Sequence, residues 1–209
     1  MPHKKKTSIV YWLGNILYLN ITNKCPNNCY FCIRNFKDGV GDFKLKLEED
    51  PSINHVIDEL QKVINLKNWK EIVFCGFGEP LERLDCVLEV CWWIRRNYGK
   101  IVCIRIDTNG QGLLLNKNRE VIKELKEVGV DKISVSLNAH DSEVYAHVCR
   151  PAFTNAFESI LEFIKKAKEA FEVEITAVAI PEVNIAKIEE IARKMGVKFR
   201  IRAFISCSW

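Results

Sequence analysis

Short apolar runs alternate with amphipathic segments along almost the whole chain, and this alternation restricts the fold more than any other feature. Five of the runs have the length and composition of buried strands: residues 72–75, 101–106, 132–137, 173–180 and 197–205. Between them, apolar residues recur every three or four positions, as they do in helices with one buried face. About six strand–helix steps of this kind predict parallel strands joined by right-handed crossovers.

The length of 209 residues limits how far such a sheet can close. A closed eight-step barrel typically needs about 250 residues. An incomplete barrel or an open doubly wound sheet would both fit, and we expect an α/β fold with an incomplete (βα)6 TIM-like barrel. Two apolar runs, 9–13 and 16–21, flank Gly14 and Asn15, which is a hairpin signal. We therefore expect one domain over residues 1–209, with residues 1–14 as an N-terminal hairpin extension.

Composition and charge narrow the classes of function. The net charge is +4 and the basic residues are scattered, which argues against a nucleic-acid partner. No apolar run approaches the roughly 20 residues of a membrane span, and no apolar stretch of a signal peptide follows the basic start. We expect a cytoplasmic protein without a membrane partner. Nine cysteines, an odd number in a chain rich in regular elements, favour metal ligands and buried thiols over disulfides.

Three of the cysteines are clustered in one loop, directly after the first predicted barrel strand. Cys25, Cys29 and Cys32 have the spacing C-x3-C-x2-C, and composition alone predicts only about 0.02 such matches. Three thiolates without a fourth nearby suit an iron–sulfur cubane with one open iron. A structural zinc site needs four ligands, and the next imidazole, His55, lies on the following helix. Three unrelated buried cysteines are the remaining alternative.

This triplet, with the aromatic Phe31 before its third cysteine, resembles the signature of the radical S-adenosylmethionine (SAM) superfamily. The resemblance implies a [4Fe–4S] cluster on Cys25, Cys29 and Cys32, with S-adenosylmethionine chelating the open iron and Phe31 lying against the adenine. It also implies an electron donor such as flavodoxin or ferredoxin. The cofactor then supplies the radical chemistry, and the protein supplies position and electrostatics.

A glycine-rich turn after the next predicted strand carries a second resemblance. Gly76, Phe77, Gly78 and Glu79 are similar to the Gly-Gly-Glu motif of the superfamily, with Phe77 in place of one glycine. Glycine allows close approach of the backbone to a ligand, and a glutamate can accept hydrogen bonds from an ammonium group. The resemblance implies that this turn holds the amino group of the methionyl moiety. By itself, such a turn is also typical of an ordinary strand–helix loop.

Polar residues follow three further predicted strands. The stretch with Asp107 and Asn109 resembles that of the pyruvate formate-lyase activating enzymes, where the acidic residue lies beside the methionyl end of the cofactor. Ser136 and Asn138 alternate with apolar residues, and in the superfamily that face contacts the ribose. Arg200 shares a strand face with Arg202. Inward guanidinium groups would bind a carboxylate or phosphate of the cofactor or the substrate, and we expect Arg200 to bind the cofactor, whereas on an edge strand both groups would be exposed.

Outside these motifs, the sequence offers few candidates for the reaction itself. Cys149 and Arg150 are the catalytic candidates, because a thiol there could donate hydrogen to a substrate radical. We expect an open substrate pocket lined by Asn138, His140, Arg150 and Arg200. The six cysteines outside the triplet are expected to hold no second cluster: Cys75, Cys86, Cys91, Cys103, Cys149 and Cys207.

The predicted function is cleavage of S-adenosylmethionine for hydrogen abstraction from an unidentified substrate, either a small molecule or a protein. The short chain and its Leu-Gly-Asn start also resemble the small TatD-family-associated radical SAM proteins. One alternative is an activating enzyme that makes a glycyl radical on a partner protein. Another is a non-catalytic iron–sulfur or zinc binding module.

Overall fold

A seven-stranded sheet organises residues 7–205, which are the residues that the computed structural model describes. Its strands are β1 (Val10–Leu13), β2 (Ile16–Leu19), β5 (Glu71–Phe74), β6 (Cys103–Thr108), β7 (Lys132–Ser136), β8 (Glu172–Val178) and β9 (Lys198–Arg202). A small separate hairpin comprises β3 (Gly39–Val40) and β4 (Phe43–Lys44). The helices are α1 (Ile53–Gln61), α2 (Leu84–Tyr98), α3 (Gly112–Leu115), α4 (Val121–Glu127), α5 (Ser142–Cys149), α6 (Ala156–Ala167) and α7 (Ile185–Met195).

The strands lie side by side in chain order, and only β1 runs antiparallel to its neighbour. The six parallel strands confirm the expected incomplete (βα)6 barrel. A doubly wound sheet reverses its strand order at a switch point, whereas sequential order with right-handed crossovers keeps the helices on one face. In the described part of the chain, β1 and β9 do not pair with each other, so the barrel is open between them.

The two faces of the sheet differ in polarity because side chains alternate along each strand. Ile104 and Ile106 of β6, with Ile133 and Val135 of β7, are buried in the main core, on the face that packs against the helices. The opposite face, which we call the inner face, carries the charged residues of β6 to β9 together with Ser134, Ser136 and Thr176. Alternation therefore directs the polar residues of these strands into the open barrel.

Several element boundaries differ from those predicted. The strand expected at 101–106 is β6, which begins two residues later, and Ile101 is 91% exposed. The strand expected at 197–205 spans only Lys198–Arg202. Helix α5 was not predicted, and its N-cap Asp141 accepts from the backbone N–H of Val144 at 2.8 Å. No helix in the described residues is long and apolar enough to cross a membrane.

Candidate active site

The cysteine loop leaves the carboxyl end of β2 and docks against the C-terminal end of α5. The backbone N–H of Asn28 donates to the carbonyl of Cys149 at 3.0 Å, and that of Tyr30 donates to the carbonyl of Val148 at 3.3 Å. The last carbonyls of a helix have no partner within the helix, so they are free to hold another segment. The loop with the three cysteines is thus fixed by a helix more than 100 residues further along the chain.

Each of the three cysteine sulfurs has its own hydrogen-bond donor. Asn109 Nδ2 lies 3.7 Å from Cys25 Sγ, and Arg34 Nε lies 3.3 Å from Cys32 Sγ. The thiol of Cys149 bonds to Cys29, which lowers the pKa of Cys29 against the effect of burial and raises the pKa of Cys149. Cys149 therefore keeps its proton and donates. Burial raises the pKa of Cys25 to about 12, and the nearby Glu79 carboxylate adds to the effect.

This donor set fits an iron–sulfur cluster better than a single metal ion. Among residues 7–205, no three His, Cys, Asp or Glu side chains are arranged to hold one metal ion. A closed zinc site needs its ligands to converge on one point. In contrast, hydrogen bonds to the individual sulfurs are a principal means by which proteins tune iron–sulfur clusters. The three cysteines, with their three separate donors, could hold a cluster that has one iron open.

A buried hydrogen-bond network of two side-chain amides and one tyrosine hydroxyl supports the cysteine loop. Asn27 Nδ2 donates to the Tyr145 hydroxyl at 2.8 Å, and Gln111 Nε2 donates to it at 3.1 Å and to Asn27 Oδ1 at 2.6 Å. The Tyr145 oxygen accepts both bonds, which leaves its own proton to donate to Cys149. A chain of donors thus runs from the two amides through Tyr145 and Cys149 to Cys29. Sequence reasoning missed Gln111 and Tyr145, since nothing in the pattern marks either residue.

Glu79 joins the turn after β5 to the turn after β6. Its side chain is 3% exposed, and it accepts from Thr108 Oγ1 at 2.7 Å and from the backbone N–H groups of Asn109 at 2.7 Å and Leu81 at 3.0 Å. Burial raises the pKa of Glu79 to about 7, and the three donors oppose that rise. A carboxylate offers about four lone-pair sites. Three are filled, so one acceptor position remains for a ligand.

The glycines of the same turn contact the chain itself. A Cβ on Gly78 would lie 2.5 Å from the carbonyl oxygens of both Thr22 and Lys24, and one on Gly76 would lie 2.0 Å from Asn20 Oδ1. Phe77 does not face a cofactor position: its side chain is buried beside Tyr11 and Leu45. A contact between Phe77 and the cofactor would therefore have to involve its backbone, and the cofactor role of Phe77 stays a prediction. The glycines allow this turn to pack against the cysteine loop.

Asp107 and Asn109, the residues predicted on β6 and in the turn after it, take part in an ion pair and in a side-chain hydrogen bond within the turn. Asp107 accepts from Arg105 Nε at 2.8 Å, and Arg105 also pairs with Glu71 at 2.5 Å. Burial raises the pKa of Asp107, whereas Arg105 lowers it. Asn109 Oδ1 accepts from the backbone N–H of Gln111 at 2.9 Å, which orients the amide towards Cys25. Asn109 thus stands beside the cysteine loop, and Asp107 lies on the inner face.

The polar residues of β7 and β9 meet at the carboxyl end of the sheet. Arg202 Nη2 donates to Ser136 Oγ at 3.1 Å and to Asn138 Oδ1 at 3.4 Å. Asn138 has a positive φ of 54°, and its Oδ1 also accepts from the backbone N–H of Val178. Arg200 is different: it is exposed and bonded to Glu174 at 2.8 Å. The sequence selected Arg200 for the cofactor, but an internal carboxylate already neutralises it.

Cys149 and Arg150, the catalytic candidates from the sequence, lie at the C-terminal end of α5. Arg150 is exposed and ends α5 in the left-handed conformation, with φ 46°. Arg200 is also exposed, whereas Asn138 is buried and His140 is half-buried, and a pocket lined by Asn138, His140, Arg150 and Arg200 stays a prediction. The thiol of Cys149 is fully buried against Cys29, so it supports the loop and is not accessible to a substrate.

The remaining residues singled out from the sequence occupy varied positions. Phe31 is buried, with its ring edge-to-face to Tyr30 at 5.5 Å between centroids. His140 Nδ1 accepts from the backbone N–H of Asn184 at 3.3 Å. Of the other cysteines, Cys86 and Cys91 are buried, whereas Cys75 and Cys103 are half-buried. Cys207 lies outside the described residues.

An open parallel barrel with a cluster-binding loop after its first parallel strand defines the class of radical SAM enzymes. The model of the radical SAM superfamily matches residues 19–195, which is most of the chain. The chain belongs to the radical SAM superfamily, whose enzymes use a [4Fe–4S] cluster and S-adenosylmethionine. The superfamily resemblance noted in the sequence is confirmed.

Similar proteins include curated enzymes and solved structures. The chain is 30% identical over 193 residues to a probable GTP 3′,8-cyclase of Methanocaldococcus jannaschii, covering 90% of this chain and 58% of the relative. It is 29% identical over 191 residues to the GTP 3′,8-cyclase of Corynebacterium glutamicum strain R, covering 88% and 47%. The chain thus spans about half the length of the curated relatives it matches.

The solved structures establish a likeness of fold. SuiB of Streptococcus suis bound to S-adenosylmethionine has a TM-score of 0.68 at 16% identity, covering 93% of this chain and 43% of that chain. Methylornithine synthase has a TM-score of 0.58 at 18% identity, covering 90% and 52%. These structures share the incomplete barrel.

Proposed function

We propose that this chain reductively cleaves S-adenosylmethionine at a [4Fe–4S] cluster held by Cys25, Cys29 and Cys32. The observation that carries the proposal is the set of three separate donors on the three cysteine sulfurs, at the carboxyl end of a parallel sheet. Ligands of such sheets bind at that end. When bound, the cluster supplies the electron that releases a 5′-deoxyadenosyl radical, which takes hydrogen from a substrate.

In this proposal the residues of the chain position the cofactor and exclude water. Glu79 uses its unfilled acceptor position for the methionyl ammonium group, while its three internal bonds hold the carboxylate still. Asn109 and Arg34 hold Cys25 and Cys32 through their sulfurs. Phe31, Gly76 and Gly78 border the cofactor through the cysteine loop and the turn packed on it. Asp107, Ser136 and Asn138 keep their proposed places along the methionyl and ribose parts.

The substrate and the partners are part of the proposal. An open inner face lined with charged side chains suits a small polar substrate, and the named relatives are GTP 3′,8-cyclases. The finer likeness to the small TatD-family-associated proteins, and the motif likeness to the pyruvate formate-lyase activating enzymes, stay predictions, as does the single domain over residues 1–209. A flavodoxin or ferredoxin would supply the electron.

The test is formation of 5′-deoxyadenosine by anaerobically reconstituted protein that carries about four irons per chain. With dithionite and S-adenosylmethionine, the parent protein should form 5′-deoxyadenosine and methionine, measured by mass spectrometry. Cys29→Ala should abolish both products. Cys103→Ala is the matched control, because Cys103 is half-buried at the start of β6, away from the loop, and this variant should keep the parent rate.

Two outcomes would contradict the proposal. One is a parent protein with a full cluster that forms no 5′-deoxyadenosine above the background of dithionite alone. The other is equal product formation by parent and Cys29→Ala. Either result would favour a non-catalytic iron–sulfur or zinc module, and the metal content of the purified protein would separate those two.

A further inference from the structure

The inner face of the barrel carries one more cation than carboxylates. Its carboxylates are Glu71, Asp107, Glu172 and Glu174, and its cations are Arg105, Lys132, Lys198, Arg200 and Arg202. Four of the cations pair with these carboxylates: Arg105 with Glu71 and Asp107, Lys132 with Glu71 and Glu172, Lys198 with Glu172, and Arg200 with Glu174. Arg202 is the cation that remains.

Arg202 is held in place but not neutralised. Its Nη2 donates to the neutral oxygens of Ser136 and Asn138, and no carboxylate of residues 7–205 lies within 4 Å of it. Its Nε is buried and has no hydrogen-bond partner in the described chain. A guanidinium keeps its charge in proteins, so burial without a counter-ion is costly. Burial accordingly lowers the pKa of Arg202.

The position of Arg202 directs this charge towards the reacting region. Arg202 is the last residue of β9 and pairs in register with Val178 at the end of β8, beside the turn that contains Asn138. These strand ends lie at the same edge of the sheet as the cysteine loop. A ligand that contacts Arg202 is therefore bound at the edge of the sheet that carries the cysteine loop.

We propose that Arg202 binds an anionic group, a carboxylate or a phosphate, of the substrate. This inference rests on the proposed function and adds the chemical class of the substrate. The Nε–H is a charged donor without an acceptor, and carboxylate or phosphate oxygens are the acceptors that guanidinium groups bind best. The surplus positive charge calls for a ligand that is anionic overall. S-adenosylmethionine is not anionic overall, because its carboxylate is balanced by an ammonium group and its sulfonium adds a positive charge.

The test is anaerobic calorimetric titration of the reconstituted protein, in the oxidised state, with inorganic phosphate at constant ionic strength. The parent protein should bind phosphate saturably, with acetate as a carboxylate probe and chloride as the reference anion. Arg202→Gln should weaken phosphate binding at least tenfold, a loss of about 1.4 kcal/mol. Arg200→Gln is the matched control, because Glu174 already neutralises that guanidinium, and binding should change less than about twofold.

Arg202→Lys keeps the positive charge, so it tests binding even if Arg202→Gln fails to fold. Its phosphate affinity should lie between that of the parent protein and that of Arg202→Gln. Absence of saturable binding in the parent, or equal affinities in parent and Arg202→Gln, would overturn the proposal. A second titration is made with S-adenosylmethionine already bound. Unchanged phosphate affinity supports a substrate site, whereas loss of phosphate binding would assign Arg202 to the cofactor carboxylate and overturn the substrate assignment. Phosphate binding needs no reduced cluster, so its failure is distinct from failure to cleave S-adenosylmethionine.

Discussion

Tyr145→Phe removes one oxygen atom on which the support of the cysteine loop depends. The Tyr145 hydroxyl accepts from Asn27 Nδ2 at 2.8 Å and from Gln111 Nε2 at 3.1 Å, and all three residues are buried. The phenylalanine ring fills the same space, so no large cavity forms. The variant leaves two buried N–H groups without an acceptor, and it removes the hydroxyl that bonds to Cys149.

The expected cost follows from those two orphaned donors. A buried polar group that loses its hydrogen-bond partner destabilises the folded state by about 1–3 kcal/mol. Part of this destabilisation is offset, because the variant no longer has to bury the polar hydroxyl group. We expect Tyr145→Phe to lower the free energy of unfolding by about 2–4 kcal/mol. The measurement is urea denaturation of the reduced protein, followed by circular dichroism, with hydrogen exchange on residues 25–32 as a local probe.

Tyr98→Phe is the matched control for this variant. The Tyr98 hydroxyl accepts one long bond of 3.4 Å from Asn65 at the exposed surface, so its removal should cost less than about 0.5 kcal/mol. If Tyr145→Phe also costs less than about 1 kcal/mol, or if hydrogen exchange in the loop does not change, the network does not support the loop. The reasoning would then be refuted.

Two further predictions concern the turn after β5. Burial raises the pKa of Glu79 to about 7 from 4.5, so the folded chain binds this proton more tightly than the unfolded chain. The contribution of Glu79 to the free energy of unfolding should therefore fall by up to about 3 kcal/mol as pH rises from about 4.5 to 7. In urea denaturation across this pH range, Glu79→Gln should remove the dependence of the unfolding midpoint on pH. An unchanged dependence in the variant would contradict the prediction. Gly78→Ala should cost about 1–3 kcal/mol of unfolding free energy and reduce iron uptake, because its Cβ would meet two carbonyl oxygens of the cysteine loop; parent-like stability and iron content would show that the turn can shift freely.

Much of the fold follows from periodicity. The spacing of apolar residues reports which side chains are buried, and chain length limits closure, so six parallel strands and an open barrel could be predicted. The first and last residues of the individual strands and helices could not be predicted in this way. Ile101 is apolar and was therefore included in the predicted strand, yet it is 91% exposed. Composition does not show at which residue a strand begins to pair with its neighbour. Helix α5 was not predicted for a related reason: its eight residues are too few to show a strong helical periodicity of apolar positions.

The candidate site divides in the same way. The cysteine triplet and Glu79 could be selected as site residues because residue type and spacing are sufficient to indicate their chemistry. The partners of those residues could not, since a pattern does not state which donor meets which acceptor across 84 or 118 residues. Arg200 and Arg202 have the same residue type and the same strand face. Only the position of Glu174 distinguishes the neutralised guanidinium from the free one.

The docking of the cysteine loop on α5 has a consequence for biosynthesis. The ligand cysteines are translated about 120 residues before Tyr145 and the carbonyl of Cys149, which hold their loop. Contacts at such sequence separation form late, because the intervening chain must be ordered first. A nascent chain that ends before α5 has the three thiols without their support. Productive delivery of iron and sulfide therefore belongs after synthesis of β7 and α5, because a scaffold that delivers a cluster would find its binding loop supported only once α5 has folded.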